Sequence, residues 1–212
     1  MVVEQEMAEI YPPGVEELCE YLPDIDCKKC DYESCMAFAE AVLEKKTEPS
    51  QCPELSPEFS QLLHSIIILK KDPIPYNTMM EQVPCELIAI NNPDKRSPLL
   101  ITCNFTETVS ILKNILTETG ARAFLLPTFT HGYSVDNAVH EKMFKAFEIW
   151  KAIQENEVSQ KLDQSLLVIP GLAESEKNAV RQLSRWTVLV GPVSGFLIPL
   201  FLWENELWYK QE

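Results

Sequence analysis

The chain has 212 residues and a mass of 24.2 kDa, enough for one large domain or two small ones with a buried core. Hydrophobic residues make up 46% of the chain and charged residues 24%, as in ordinary globular proteins. The net charge of -14 argues against a nucleic-acid partner, because such binding needs clustered Lys and Arg. The charge is uneven, since residues 1–60 hold 15 acidic and 4 basic residues whereas residues 61–212 hold 17 and 14.

Neither a membrane span nor a secretory leader is predicted from the apolar pattern. The longest apolar stretch, residues 188–203, is interrupted by two glycines and two prolines and cannot cross a bilayer as one helix. The N-terminal sequence MVVEQEMAEI is acidic and lacks the basic and apolar regions of a leader. The seven cysteines are an odd number, which argues against a closed disulfide framework. We therefore expect a cytoplasmic protein in a reducing compartment.

The chain divides into three blocks. We predict a domain at residues 1–60, a connecting segment at 61–97 and a second domain at 98–212. A short helix is predicted near residues 58–67, followed by the linker-like sequence KKDPIPYNT and a short strand at 86–91.

Strands and helices alternate regularly from residue 98 onward. The predicted strands are 99–103, 121–126, 165–169 and 187–190, and the predicted helices are 107–119, 134–154 and 175–184. This alternation is typical of an α/β fold, a Rossmann-like doubly wound parallel sheet with helices on both faces. Because ligands bind at the carboxyl ends of strands in such sheets, the loops after Cys103, Leu126, Ile169 and Val190 are the expected ligand site.

Four of the seven cysteines have the spacing of cluster ligands: Cys27, Cys30, Cys35 and Cys52. Four thiolates are what a [4Fe–4S] cluster needs, and Cys52 precedes a proline, as the remote ligand often does. Cys35 begins an amphipathic helix whose N-terminus favours an anionic group. Structural zinc is the alternative, although only one C-x2-C pair is present, and unliganded core cysteines are the other. Outside this set, Cys19, Cys85 and Cys103 are predicted to be buried apolar residues.

The segment CKKCDYESCMAFA, residues 27–39, resembles the [4Fe–4S] domain of the corrinoid iron–sulfur protein large subunit family, also called the acetyl-CoA decarbonylase/synthase gamma subunit. The family usually has glycine where this chain has Asp31, so the turn after Cys30 is expected to differ slightly. Related domains occur in other redox proteins, so this motif indicates a cluster and not a pathway.

Residues 98–203 resemble the corrinoid-binding domain of the same family. The matching pieces follow the family order and are LITCNF at 100–105, THGYSV at 130–135, LVIPG at 167–171 and VLVGP at 188–192. The family's central (β/α)8 barrel has no counterpart, because the middle block is far too short for it. The resemblance therefore implies a small helical [4Fe–4S] domain followed directly by a corrinoid-binding-type domain.

The resemblance also implies a set of corrinoid-site residues. The family binds its corrinoid base-off above the loop after the T-x-G-x-S-V element, and counting from Gly132 places Asn137 beneath cobalt. Capping of the following helix is the alternative role for Asn137. His131 and His140 lie outside the D-x-H-x-x-G motif of histidine-ligated cobalamin and are expected on a loop and a helix surface. The expected cofactor-binding residues are Thr102, Asn104, Thr130, Gly132, Ser134, Asn137, Gly171, Gly191 and Pro192.

The leading hypothesis is an iron–sulfur protein that binds a corrinoid and serves electron transfer, reductive activation of cobalt and methyl transfer in one-carbon metabolism. Such a protein is a carrier rather than a stand-alone enzyme, and its expected partner is a redox protein or a methyltransferase. The alternative is a corrinoid-free iron–sulfur accessory protein that docks on such a partner. A zinc-stabilised interaction module is a third hypothesis.

Overall fold

The computed structural model describes residues 7–8, 12–23, 25–69, 74–75, 80–163 and 165–207. Its strands are β1 Met7–Ala8, β2 Ile74–Pro75, β3 Ile88–Ile90, β4 Leu99–Cys103, β5 Ala123–Thr128, β6 Leu166–Ile169 and β7 Thr187–Val190. Its helices are α1 Val15–Cys19, α2 Cys35–Leu43, α3 Pro57–Ile68, α4 Thr106–Thr119, α5 Val135–His140, α6 Ala146–Glu155, α7 Val158–Lys161, α8 Lys177–Ser184 and α9 Ile198–Glu204. Short 3-10 turns occur at Pro49–Gln51, Gly171–Glu176 and Gly195–Leu197.

A five-stranded sheet in the order β3-β5-β4-β6-β7 forms the centre of the molecule. The strands β4 to β7 run parallel, whereas β3 pairs antiparallel with β5 at the edge. All five residues of β4 are buried, as expected for a parallel strand covered on both faces. Pro127 is tolerated within β5 because the pairing with β3 has ended at Leu125. The predicted α/β fold class is confirmed.

The chain reverses its winding direction between β4 and β6. After β4 it passes through α4 to β5 on one side, and after β5 it crosses to β6 on the other side of β4. Apolar residues of α4 pack on one face of the sheet, and those of α6 and α8 pack on the opposite face. The carboxyl ends of β4 and β6 therefore form the crevice where ligands bind in open α/β sheets.

The helix predicted at 134–154 is instead two helices, α5 and α6, separated by the turn 141–145. The carbonyl of Ala138 accepts hydrogen bonds from the amides of Met143 and Phe144, and Lys142 has a left-handed φ of 56°. Phe144 is buried in the sheet core, so apolar periodicity runs on through the turn. The carboxylate of Glu176 accepts the amide hydrogen of Ala146 at 3.0 Å and caps the start of α6. The single-helix prediction was therefore wrong, because the apolar residues of the turn continue the apolar pattern of a helix face.

The connecting segment predicted at 61–97 contributes to packed structure. Most of α3 lies in it, and the strand β3 within it pairs with β5. Ser56 caps α3 by accepting the amide hydrogen of Phe59 at 3.1 Å, with proline at the first helical position. The linker-like sequence at 70–78 lies outside the described residues except for β2.

One hydrophobic core joins the N-terminal helices to the sheet domain. We call it the shared core, and its fully buried members come from α1, α2, α3, α4 and the segment 196–200: Leu18, Phe38, Ala39, Val42, Leu63, Ile66, Ile115, Leu197 and Leu200. Phe59 and Trp203 meet edge to face, with ring centroids 6.2 Å apart. Burial, followed by the nearby Glu204 carboxylate, raises the pKa of Tyr21 above its ordinary value. The helical N-terminal part is therefore fixed against the α4 and α9 side of the sheet.

Replacing Leu63 with alanine is expected to destabilise the whole chain. The Leu63 side chain is 0% exposed in the shared core, so Leu63→Ala should lower the free energy of unfolding by about 3 kcal/mol through lost burial and a residual cavity. The control is Ile68→Ala on the same helix, where the side chain is 56% exposed and the change should stay within about 0.5 kcal/mol. Urea unfolding of anaerobically prepared protein, followed by tryptophan fluorescence, measures both. Equal effects of the two substitutions would contradict the shared core.

Candidate functional site

The four predicted cluster cysteines line one pocket at the N-terminal part of the molecule. The lining consists of Leu22, Pro23, Ile25, Asp26, Cys27, Lys28, Cys30, Tyr32, Ser34, Cys35, Phe38, Cys52 and Glu54. Cys52 is buried at 6% exposure, whereas Cys27, Cys30 and Cys35 are half-buried. Cys52 belongs to the shared core, and Cys30 and Cys35 pack against it. The pocket therefore has an apolar inner wall and an outer side that reaches solvent.

The loop from Asp26 to Asp31 turns at residues whose backbone has a left-handed conformation. Asp26, Lys28 and Asp31 have φ values of 40°, 59° and 65°, a region that favours glycine. Asp31 thus keeps the conformation for which glycine is suited, and aspartate is among the residues that tolerate it best. The difference from the family that is expected at the turn after Cys30 therefore lies in the Asp31 side chain and its charge.

The start of α2 places Cys35 at the pocket. Ser34 accepts the amide hydrogen of Ala37 at 3.1 Å, and Asp26 Oδ1 accepts that of Cys35 at 2.7 Å. Both bonds fix the first turn of the nine-residue helix with its N-terminal end towards the pocket. The partial positive charge at that end stabilises thiolate and an anionic cluster.

Cys52 reaches the pocket from a separate segment, directly after the 3-10 turn Pro49–Gln51. Its amide donates to the carbonyl of Pro49 at 3.2 Å, which closes the preceding 3-10 turn, and its own carbonyl accepts from Leu55 at 3.3 Å. Burial raises the pKa of the Cys52 thiol, so a metal that binds this sulfur must displace its proton. An ion pair of 2.5 Å between Lys29 and Glu54 links the two cysteine-bearing segments.

The donor set of the pocket suits a cluster. Within the residues that the structure describes, no three His, Cys, Asp or Glu side chains are grouped so that they could hold one metal ion. Four cysteines line this one pocket, and four thiolates are the ligand set that a [4Fe–4S] cluster needs. Outside the pocket, the prediction of buried cysteines is confirmed for Cys103, which is fully buried. It is wrong for Cys19 and Cys85, which are only half-buried.

Asn104 organises the carboxyl edge of the sheet. Its side chain is 2% exposed, and Oδ1 accepts from the amides of Thr130 and Gly132 at 3.0 and 3.1 Å and from the Thr130 hydroxyl at 2.9 Å. Its Nδ2 donates to Gln82 Oε1 at 3.1 Å. Asn104 therefore holds the loop after β5 in place, and Thr130 and Gly132 are brought together with it.

A segment that the sequence did not mark covers this edge. The amide of Val83 donates to the carbonyl of Asn104, and that of Thr106 donates to Glu81, both at 2.9 Å. The residues 80–83 thus lie across the crevice after β4. The sequence MEQVP at 80–84 carries neither alternation nor a motif, so no signal in it could have identified this role.

The remaining predicted residues fall into two local groups. Asn137 Nδ2 donates to Ser134 Oγ at 3.0 Å, and the Ser134 hydroxyl donates to the Asp136 carboxylate, all in the first turn of α5. The amide of Gly171 donates to the carbonyl of Pro192 at 3.1 Å, which joins the loops after β6 and β7. A Cβ on Gly171 would lie 2.8 Å from the Gly191 carbonyl oxygen, so close packing of the two loops requires glycine there.

The other polar side chains at this edge differ in exposure. Thr102 Oγ1 is buried without a hydrogen-bond partner in the part of the chain that the structure describes. His131 is exposed at the tip of the loop, with its ring centroid 4.3 Å from that of Phe129. His140 is exposed at the end of α5, as predicted. A groove between α5, the start of α6 and the turn after β6 is lined by Lys142, Lys145, Phe147, Ser175 and Glu176, among others.

Fold and pocket together define an α/β protein with an attached four-cysteine iron–sulfur-type domain. A family model for the CO dehydrogenase/acetyl-CoA synthase delta subunit matches residues 75–201, more than half of the chain. The protein therefore belongs to that family. An Fe–S cluster family model matches residues 22–54, which include all four cysteines of the pocket. The resemblance drawn from the motifs is confirmed.

Curated proteins similar to this chain are subunits of the same kind. It is 36% identical over 124 residues to the acetyl-CoA decarbonylase/synthase complex subunit gamma of Archaeoglobus fulgidus, which covers 58% of this chain and 26% of that protein. It is 32% identical over 122 residues to the gamma subunit of Methanopyrus kandleri, 58% of this chain and 26% of that protein. It is also 29% identical over 107 residues to the corrinoid/iron-sulfur protein large subunit of Moorella thermoacetica, 50% of this chain and 23% of that protein.

The matched region spans about a quarter of the length of these relatives. In the described residues, no helix has the length and apolar character needed to cross a membrane.

Alanine substitution at two glycines separates backbone strain from crowding at the site. Gly120 and Gly132 both have positive φ, of 75° and 78°, but a Cβ on Gly120 meets no atom within 4 Å, whereas one on Gly132 would lie 2.4 Å from the Met80 carbonyl oxygen. Gly120→Ala should cost about 1 to 2 kcal/mol, and Gly132→Ala should cost about 1 to 3 kcal/mol more. Urea unfolding of both variants measures the difference. Equal losses would show that residues 80–83 do not press on this loop.

Proposed function

We propose that the protein is a corrinoid-binding iron–sulfur protein that delivers electrons to cobalt and carries methyl groups in one-carbon metabolism. The observation that carries the proposal is the convergence of Cys27, Cys30, Cys35 and Cys52 on one pocket next to a sheet with a ligand crevice. The Fe–S family match and the relative named a corrinoid/iron-sulfur protein support both cofactors. As a carrier, it would work with a redox protein or a methyltransferase, in the cytoplasm.

In this proposal the four thiolates hold the [4Fe–4S] cluster. The N-terminus of α2 stabilises its negative charge, and the shared core behind Cys52 keeps water from its inner side. The acidic surroundings oppose the extra negative charge that reduction adds, which lowers the reduction potential. A low potential suits a donor that must reduce cobalt.

The carboxyl edge of the sheet would hold the corrinoid. The exposed loop at His131 and the half-buried Asn137 amide are groups that fit a large ligand with many polar substituents. Asn104 would act by positioning the loop from Thr130 to Gly132, because its own oxygen is occupied by that loop. When bound, the corrinoid supplies cobalt that, once reduced to Co(I), is a nucleophile for a methyl cation.

A corrinoid-free accessory protein is the second candidate. This candidate is favoured because groups at the crevice already bond to each other rather than to a ligand. Residues 81–83 pair with residues 104–106, and Gly171 packs on the next loop. In this alternative the sheet domain serves docking, and the cluster remains the only redox group.

Substitution of single cysteines tests the cluster half of the proposal. Serine at Cys27, Cys30, Cys35 or Cys52 should lower the bound iron and the visible charge-transfer absorbance of anaerobically reconstituted protein well below those of the wild type. Cys19→Ser and Cys85→Ser are the matched controls and should retain both. Unchanged iron content in two or more of the four variants would refute the cluster assignment, and one zinc without iron would favour the zinc-stabilised module.

Cobalamin titration tests the corrinoid half. Reconstituted protein incubated anaerobically with cobalamin at low pH, where the free cofactor is base-off, should retain cobalt after gel filtration and keep the base-off spectrum on return to neutral pH. Cobalt retention should fall in Asn104→Ala, which frees the loop after β5, and persist in Asn205→Ala, where the replaced amide donates to Phe201 of its own helix. A protein that retains its cluster and takes up no cobalamin would support the accessory function.

A further inference from the structure

A groove at the start of α6, which we call the lysine groove, is not used by either proposed cofactor. It lies between the end of α5, the turn 141–145 and the 3-10 turn after β6, and its volume is about 530 Å³. Small-molecule sites in proteins have volumes of this order and combine apolar walls with a few polar groups. The walls are apolar except for Lys142, Lys145, Ser175 and Glu176. The lysine groove shares no lining residue with the cysteine pocket, and none of the residues expected around the corrinoid lines it.

Two lysine side chains give the lysine groove its positive charge. Lys142 and Lys145 are both exposed, and neither makes an ion pair with an acidic side chain in the parts of the chain that the structure describes. The carboxylate in the same lining, Glu176, instead accepts the amide hydrogen of Ala146 at 3.0 Å. Two ammonium groups therefore outnumber one carboxylate that is already bonded, and the ammonium groups can donate hydrogen bonds to an anion.

Hydrogen bonds and burial fix the backbone around these lysines. The amide of Lys142 donates to the carbonyl of Val139 at 3.1 Å, and the carbonyl of Lys145 accepts the amide hydrogen of Ile149 at 3.2 Å. Phe144, which lies between the two lysines in the chain, is 2% exposed and anchors the turn in the sheet core. A ligand would therefore order the lysine side chains but not the backbone, which lowers the entropic cost of binding.

Phe147 supplies an exposed aromatic ring in the same lining. Its side chain is 54% exposed, and its ring centroid lies 5.7 Å from that of Trp150. An exposed ring at a groove offers a face on which a flat ring of a ligand can stack. Ser175, exposed in the turn after β6, adds a hydroxyl donor. The lysine groove thus combines donors for an anion with a surface for an aromatic ring.

We propose that the lysine groove binds a small phosphate ester that carries a flat aromatic ring, as a mononucleotide does. The phosphate accepts hydrogen bonds from the ammonium groups of Lys142 and Lys145, and the ring stacks on Phe147. A phosphate suits two ammonium donors better than a carboxylate does, because it carries about two negative charges and three terminal oxygens. Binding is noncovalent, and the site is separate from the cluster and the corrinoid, so it does not rest on the proposed function.

Isothermal titration calorimetry of the full chain with adenosine monophosphate tests the phosphate contacts. Adenosine, which lacks the phosphate, and inorganic phosphate, which lacks the ring, should each bind about tenfold more weakly or less. Lys142→Gln and Lys145→Gln should each raise the dissociation constant of adenosine monophosphate by about fivefold or more, because each removes a charge-assisted hydrogen bond. The control is Lys151→Gln on α6, whose ammonium group lies 3.8 Å from the Glu155 carboxylate, and its effect should stay below about twofold.

The stacking contact is tested by Phe147→Ala, which should also raise the dissociation constant by about fivefold or more. Leu183→Ala on α8 removes a side chain of comparable exposure, 45%, and should leave binding unchanged. All the substituted side chains are at the surface, so the thermal unfolding of each variant should match that of the wild type.

Three results would overturn the proposal. They are no saturable binding of adenosine monophosphate at millimolar concentration, equal effects of Lys145→Gln and its control Lys151→Gln, and loss of binding when excess cobalamin is present. The third result would assign the lysine groove to the corrinoid site. Binding that persists beside cobalamin supports a separate site, whether or not the protein takes up a cluster or a corrinoid.

Discussion

Burial of one hydrophobic surface holds the molecule together, because the N-terminal helices have too little apolar surface to form a core alone. Helices α1 and α2 are short, and their buried side chains find partners on α3, α4 and the segment after β7. The cysteine loop adds no regular structure and depends on this core for its inner wall. Cys52, buried in the same core, links the ligand set directly to the packing that fixes the helices.

The same core extends to the segment that follows β7, at the carboxyl edge of the sheet. Phe196 and Leu197 belong to the shared core and follow directly after the loop of Gly191 and Pro192 at the end of β7. That loop bonds to Gly171 at the end of β6, which lies at the crevice. Cluster pocket and crevice are therefore connected through packed side chains and backbone contacts.

Local sequence signals predicted the strands and helices well where the apolar pattern agrees with the residue that ends the element. The run at 99–103 is a fully buried strand, and Gly120 ends α4 in a left-handed conformation, as its position after the apolar stripe indicates. The spacing of four cysteines predicted their convergence without any tertiary information. The break in the helix at 141–145 could not be predicted, because Met143 and Phe144 continue the apolar period through the turn. The cover formed by residues 80–83 depends on backbone bonds to residues 104–106, which leave no trace in side-chain pattern.

The polar edge shows why residue type alone did not settle the role of Asn104. An asparagine after a buried strand is expected to face a ligand, but the full set of bonds around its side chain goes to Thr130, Gly132 and Gln82. A buried amide with unmet bonds would be costly, so its satisfaction by three backbone and side-chain partners makes the loop rigid. Rigidity places His131, with its left-handed φ of 59°, at the tip of a fixed turn facing solvent. Specificity at this edge must then come from what the loop presents outward, since its inward-facing groups are already used by the protein itself.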